Sequence, residues 1–548
     1  MLRRGASSEA LEGGDQGEGV SPMYNGGGGT SQYREDASNS GQSRFAGPGA
    51  SRNATRWDVH SSGGTAGIKS TVSMDETSLY YGSLDGNVYS RSRATGEVQW
   101  TFETSGSITA SVTLFDFSTA FAASSDSFLY ALSSATGSLL WRSAPADSDG
   151  AIFASPVAVA AATTTLVLVV SGKSIRALST DNGGARVWLT SLSGLASQQG
   201  SYALQSTPAV DLASQRVFLT TGLGKHVLAL DLGSGAILWS QTISASVLSS
   251  PCLQLYKHGA GLAPTLRVYV AAGDGVHALG ALRGRLLWHF AGQGGYSSVA
   301  ASNDSTLVFF GSTDGSIYGI SAMDGAEVWA FPTGGPIRLS SPVLDRAGTL
   351  YLGSSDGTLY AVNSSTGQPN WHLDTNAATA ASASAANSTS GGASGSGGGG
   401  SSSVPVGAAS ISASPAIGSD GTVFIGNSLG ALFAIGASVA PGPAPGPGQG
   451  PAPGPGPGPW LAPPGSPTPF PTAQAIIGGQ SSGSATQSIS AGNLAAAVIC
   501  SVLGLALLVG GAVWLVRRHK SSGETRERSG TAAALEMARQ QQQRHAAR

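Results

Sequence analysis

Eight tryptophans recur through the chain at intervals of 41 to 51 residues: Trp57, Trp100, Trp141, Trp188, Trp239, Trp288, Trp329 and Trp371. Self-similarity at that period decides the fold before any local propensity does, because one unit alone cannot bury its apolar face. From Trp100 onward each tryptophan follows a Gly turn: Thr-Gly at 95–96, 136–137 and 366–367, Asn-Gly at 182–183, Ser-Gly at 234–235, Arg-Gly at 283–284 and Asp-Gly at 324–325. Ahead of each turn lies a short strand pattern such as LYALS (129–133) or LYAVN (359–363). Ahead of that lies another, such as RVFLT (216–220) or LYLGS (350–354). Four of these pairs are joined by Asp-Gly, at 85–86, 274–275, 314–315 and 356–357, which supplies the positive φ of a tight hairpin. A further strand opens each unit, and five of these begin with Ser/Thr-Pro, at 155, 207, 250, 341 and 414.

Each unit is therefore four antiparallel strands. A four-stranded meander cannot cover both its faces, whereas radial repetition covers both. The last set (SPAIG, VFIGN, LFAIG) stops at Gly436 without an outer strand. At the other end, TRWDVHSSG (55–63) is an outer strand with no unit of its own. The two ends together predict an all-β, eight-bladed propeller over 55–436, closed by the N-terminal strand, which removes an exposed edge. One tryptophan per blade at one phase reads as a residue that docks its blade on the next.

The repeat resembles the pyrroloquinoline-quinone (PQQ) repeat, and YLGSSDGTLYAVNSSTGQPNW (351–371) is its clearest copy. The resemblance implies a propeller. That family holds quinone-dependent dehydrogenases, an outer-membrane-assembly scaffold lipoprotein and the lumenal domains of kinase-linked stress sensors. The dehydrogenases of the family carry a vicinal Cys-Cys pair, a catalytic Asp, and Glu and Asn ligands for Ca²⁺. This chain has only Cys252 and Cys500, so the pair is missing. Cys252 reads as a small buried residue of an innermost strand. The one long insertion, 376–410, is Ser/Gly/Ala-rich and cannot pre-organise a site.

Other chemistry is sparse. Charged residues are 11% of the chain and the net charge is −2, so no footprint for nucleic acid exists. Six histidines, His60, His226, His258, His277, His289 and His372, lie in or beside the propeller without HxH or HExxH spacing. The expectation is no catalytic constellation, no cofactor and no metal. The repeated Asp of the Asp-Gly pairs reads as turn chemistry rather than Ca²⁺ loops. Arg338, in GGPIRLSSPV, precedes an innermost strand near the mouth of the central channel and is a candidate ligand contact there. Candidate glycosylation sequons are Asn53, Asn303, Asn363 and Asn387.

Outside the repeat, 1–54 is Gly-, Ser- and charge-rich and is expected to be disordered. Residues 437–493 form a Pro/Gly-rich linker or stalk. Residues 494–516 are 23 positions without a charge, the length of a tilted transmembrane helix in a lipid bilayer. Arg517, Arg518 and Lys520 follow at once, while the stretch 474–493 ahead of the helix has no Lys or Arg. The positive-inside rule puts the 517–548 tail in the cytosol and the propeller outside or in a lumen. The stretch 1–60 holds no apolar signal region, so export leads to the expectation of a signal peptide upstream. The sequence thus predicts a single-pass membrane protein that displays a non-catalytic propeller for a protein or glycan ligand. The alternatives are a quinone-dependent oxidoreductase with an atypical site, or a receptor-like sensor that signals through a partner.

Overall fold

The computed structural model describes residues 36–49, 54–60, 66–143, 150–161, 164–195, 206–258, 262–378 and 409–436. The transmembrane candidate 494–516, the tail, the stalk and most of the 376–410 insertion lie outside them. Among the described residues no helix is long and apolar enough to cross a membrane.

The described strands form eight antiparallel four-stranded sheets. In seven of them the strands run in sequence order, innermost to outermost. The eighth takes its outer strand from the N-terminus: Ala54–His60 pairs with Ala431–Gly436, with Trp57 opposite Ala434. The expected closure is therefore observed, and the ring is eight-bladed.

The hydrophobic core is divided into eight clusters, and each spans one blade boundary. Tyr80, Val88 and Trp100 of blade one pack with Val112, Leu114 and Ala120 of blade two. Ile68, Met74 and Leu79 of blade one pack with Phe424, Leu432 and Ala434 of blade eight. Second and third strands are buried on both faces, which explains why they read as near-continuous apolar runs. Close approach between blades also demands a missing side chain. A Cβ on Gly82 would lie 2.1 Å from Ile108 Cγ2 of the adjoining loop.

Around the axis the blades are joined by hydroxyls. Thr71 N–H donates to Ser111 Oγ, Ser111 N–H to Ser155 Oγ, and Ser155 N–H to Thr207 Oγ1. Thr207, Ser250, Ser298 and Ser341 continue the series to Ser414 Oγ. The seven bonds are 2.9–3.1 Å long and buried. Five of these residues are the Ser/Thr of the Ser/Thr-Pro starts, so that motif is the inter-blade joint. Often the preceding serine bonds inside its own blade, as Gly353 N–H donates to Ser340 Oγ at 3.0 Å.

The outer strands share a second device. In all eight blades the ladder slips by one residue immediately before the tryptophan. This bulge re-aims the tryptophan toward the next blade. Trp100 Nε1 donates to Ser134 O at 2.8 Å, and Trp188 Nε1 to Leu232 O at 2.9 Å. The indole of Trp100 lies over Gly137, whose φ is +70° and where a Cβ would sit 2.6 Å from the ring. That is why a Gly turn recurs ahead of each tryptophan. Corresponding bonds to a carbonyl of the next blade are made by Trp57, Trp239, Trp288 and Trp329. Trp141 covers Gly184 in the same way.

Residues 36–49 depart from the expectation that all of 1–54 is disordered. They run past the innermost strands of blades four to seven. Val210, Leu253, Ala301 and Leu344, one from each of blades four to seven, donate backbone N–H groups to Ala37, Ser38, Ser40 and Gly41 carbonyls. Asn39 is 1% exposed, sits at φ 52°, and donates from Nδ2 to the Thr207, Pro208 and Pro251 carbonyls. The segment then passes outward, with Phe45 against the cluster between blades seven and eight. Among the described residues blade eight offers no Gly turn for Trp371 to cover, and Trp371 Nε1 donates instead to Pro48 O at 3.3 Å. The apolar count of this stretch is low because its backbone makes the contacts, meeting strand edges whose N–H groups need acceptors.

The closing strand is also latched by charge. Asp420 binds Arg56 of that strand at 2.6 Å and Arg93 of blade one at 3.1 Å. Burial alone would raise the Asp420 carboxyl, but bonds from Thr422 and Arg56 and the Arg93 charge hold it below its ordinary value.

Two outcomes are expected. Thr207→Val, nearly isosteric, leaves the buried Ser155 N–H without its acceptor and costs about 1–3 kcal/mol in chemical denaturation; an unchanged midpoint counts against the hydroxyl joint. The depressed Asp420 pKa adds stability that is complete above the unfolded value of about 3.9 and is lost as pH falls through the folded value. Asp420→Asn therefore lowers the melting temperature at pH 7 and narrows the gap from the parent below pH 4.

Candidate functional site

Four alternating strands put the loops of each blade on two faces. The second-to-third strand turns and the links between blades share one face. On it, four blades carry the same clasp. The turn Asp accepts from the N–H two residues on: Asn87 N–H donates to Asp85 Oδ1 at 2.9 Å and Thr358 N–H to Asp356 Oδ1 at 2.7 Å. Its other oxygen accepts the hydroxyl of the tyrosine four residues on: Tyr89 to Asp85 at 2.7 Å, Tyr130 to Asp126 at 2.8 Å, Tyr318 to Asp314 at 2.9 Å and Tyr360 to Asp356 at 2.8 Å. Burial, then the Asp126 bond, pushes the Tyr130 hydroxyl up to about 12. Tyr318 and Tyr360 are raised, again chiefly by burial. These hydroxyls stay protonated donors at neutral pH.

Blade five breaks the pattern. Its turn is one residue shorter, and His277 takes the tyrosine's place on the third strand, Gly275–Gly280. His277 Nε2 donates to Asp274 Oδ1 at 2.9 Å. Directly across the ladder on the outer strand, Leu286–Ala291, stands His289, the residue after Trp288. The two imidazoles stack with centroids 4.2 Å apart and planes 14° from parallel. His289 Nε2 donates to the Asp274 carbonyl at 3.0 Å. Ser244, from the link between blades four and five, donates its hydroxyl to Asp274 Oδ2. Burial holds the His277 pKa down, opposed only in part by Asp274, so the ring is neutral at physiological pH. Burial raises the Asp274 carboxyl, but bonds from His277 and Ser244 more than offset this and leave it lowered. Nδ1 of His277 is buried without a hydrogen-bond partner.

Sequence spacing hid this group. The separations of Asp274, His277 and His289 along the chain match no metal motif, and only the strand register makes the two histidines neighbours. The signal that could find it is alignment of the repeats, which puts His277 on the tyrosine position and His289 on its cross-strand partner. Blade seven has half of the change: His372 stands opposite Tyr360.

The other sequence candidates fall apart in space. Arg338 is exposed beside Leu339 in the link between blades six and seven, on the same face as Asp274. Asn303 is exposed in the first turn of blade six, on the opposite face. Asn363 ends the third strand of blade seven, and its Oδ1 accepts the Ser365 and Thr366 N–H groups. Asn53 and Asn387 lie outside the described residues. Cys252 is fully buried in the innermost strand of blade five, with Sγ 3.9 Å from the Ser40 carbonyl.

A family profile described as outer membrane protein assembly factor BamB matches residues 49–255 and again 224–438. The chain belongs to the PQQ-repeat propeller family. No curated protein sequence matches it. Among solved structures, a europium-containing methanol dehydrogenase superposes with TM-score 0.57 at 14% identity, over 75% of this chain and 98% of that one. The quinohemoprotein alcohol dehydrogenase of Comamonas testosteroni superposes with TM-score 0.59 at 12% identity, over 76% and 82%. BamB from Moraxella catarrhalis superposes with TM-score 0.50 at 16% identity, over 70% and 99%. At these identities the likeness is one of fold, shared by enzymes and an assembly factor alike.

The clasp predicts a modest structural role. Tyr130→Phe removes one hydrogen bond to Asp126 and lowers stability by about 1 kcal/mol in denaturant titration. A loss several times larger would mean that the hydroxyl supports more than its own turn.

Proposed function

We propose that this PQQ-repeat propeller is a non-catalytic binding module, displayed on the outer or lumenal side of a membrane by the 494–516 helix, and that its ligand is a protein. The observation that carries the reading is the rim. Before seven of the eight tryptophans the bulge turns two successive residues of the outer strand to solvent. In blades two, four and five these are Leu139 and Leu140, Ile237 and Leu238, and Leu286 and Leu287, each 41–53% exposed. Val98, Val187 and Val328 occupy the rim in blades one, three and six. The belt stops at blades seven and eight, where Pro369, Asn370 and Arg56 stand instead. Aliphatic side chains on unpaired outer edges favour a partner with apolar side chains and free backbone groups, which is a protein segment rather than a glycan. The family includes an outer membrane protein assembly factor, which supports a binding role. The charge step from the uncharged 494–516 segment to the basic tail supports the topology.

Two measurements test this. Protease added to sealed microsomes is expected to leave the propeller intact and to remove the tail; digestion of the propeller would overturn the topology. Proximity labelling by the full chain in intact cells is expected to mark a protein set that the Leu286→Ser/Leu287→Ser variant loses at unchanged melting temperature. Turnover of a primary alcohol by the purified chain with added pyrroloquinoline quinone and Ca²⁺ would replace the binding reading with the oxidoreductase one.

A further inference from the structure

We propose that Asp274, His277 and His289 form a binding site for a divalent transition cation of the Zn²⁺ class, distinct from the rim. One donor atom from each residue lies within 4.8 Å of those of the other two. The set is one carboxylate and two imidazoles, the ligand types that suit Zn²⁺, Cu²⁺ and Ni²⁺ rather than Ca²⁺ or Mg²⁺.

The chain has already met most of the cost of assembling the set. His277 is 3% exposed and fixed in the blade, and its ring is stacked on His289. Asp274 is held by its turn and by Ser244. The His289 and Asp274 side chains are 31% and 28% exposed, so the open side of the group faces water, from which a cation enters and keeps a water ligand.

The proton balance is simple. A carboxylate and a carbonyl only accept, so Nε2 of both histidines carries the proton in the empty arrangement. On binding, each ring moves that proton to Nδ1 and offers the Nε2 lone pair. For His289 the new N–H meets solvent. For His277 it falls on the buried Nδ1, which faces no acceptor, so metal bonding has to outweigh one unsatisfied donor. Metal bonds of about 2.0–2.2 Å set the donor atoms about 3.3–3.5 Å apart, so the 2.9 Å His277–Asp274 pair opens slightly and the 3.9 Å His289–Asp274 pair closes.

Comparison among blades sharpens the point. Four blades use Tyr and Asp here, a pair that locks the turn without offering imidazole. Among the described blades, blade five alone has histidine at both the third-strand and the outer-strand position. Packing and turn closure are served by the tyrosine version, so the His pair adds a donor set that the fold does not require.

The test is titration calorimetry of the untagged, chelator-treated full chain with ZnCl₂, with Co²⁺ as a visible-absorption probe. The expected result is one strong site per chain and a Co²⁺ ligand-field band. His289→Thr places the blade-one residue at that position, keeps the strand, and is expected to weaken Zn²⁺ binding by more than about tenfold. His372→Ala, the blade-seven counterpart, is expected to bind as the parent does. Absence of binding by the parent, equal binding by His289→Thr, or loss of binding in His372→Ala would overturn the assignment. Because the readout is metal occupancy, it is independent of whether the rim binds a protein.

Discussion

The ring depends on a hydroxyl that accepts its neighbour's backbone N–H. Seven blade boundaries are joined in this way near the axis, where the blades converge and little room remains for side chains. Serine and threonine satisfy two demands there at once. They are small, and they carry an acceptor that a buried N–H requires. The following proline in five of these units fixes φ and removes a donor that would otherwise need a partner in the same crowded place. Farther out, the spacing between blades grows and the joint changes character. Apolar clusters, aliphatic and aromatic, fill the middle, and farther out the indoles dock each blade on the next. One radial gradient of volume thus sorts the residue types along every blade.

The blades are alike in joint but not in surface. Turn and rim positions are the ones that the packing leaves free to vary, and variation is concentrated there. The rim carries exposed Leu, Ile or Val over six blades and none over the other two. The turn clasp is tyrosine in four blades and histidine in one. A repeat protein acquires a site by departing from its own consensus where the consensus is not needed for packing.

Much of this was visible in the amino-acid sequence, and the exceptions share a cause. The tryptophan series, the Gly turns and the orphan strand around Trp57 predict blade number and closure because each reports an interaction made in every unit. The Ser/Thr-Pro starts were equally visible, but their meaning was not, since the partner of each lies a whole repeat away in the next unit. Residues 36–49 looked unstructured because they pack through carbonyls, through Asn39 and through small side chains, with Phe45 the one large apolar anchor. The Asp274, His277 and His289 group escaped because metal motifs are recognised by spacing along the chain, whereas this set is assembled by register across two strands.

The outer strand of blade eight carries a consequence for synthesis. Among the described strands, residues 54–60 leave the ribosome first, yet their ladder partner, 431–436, leaves last. Blades one to seven can each form as soon as their own residues emerge, because each is continuous in sequence. The N-terminal strand meanwhile waits as an unsatisfied edge for the whole of that interval. The ring therefore seals in a single late event that joins the two ends of the domain. A chain stopped anywhere before residue 431 is left with an open arc, its first tryptophan unpaired, and is marked as incomplete by its own geometry.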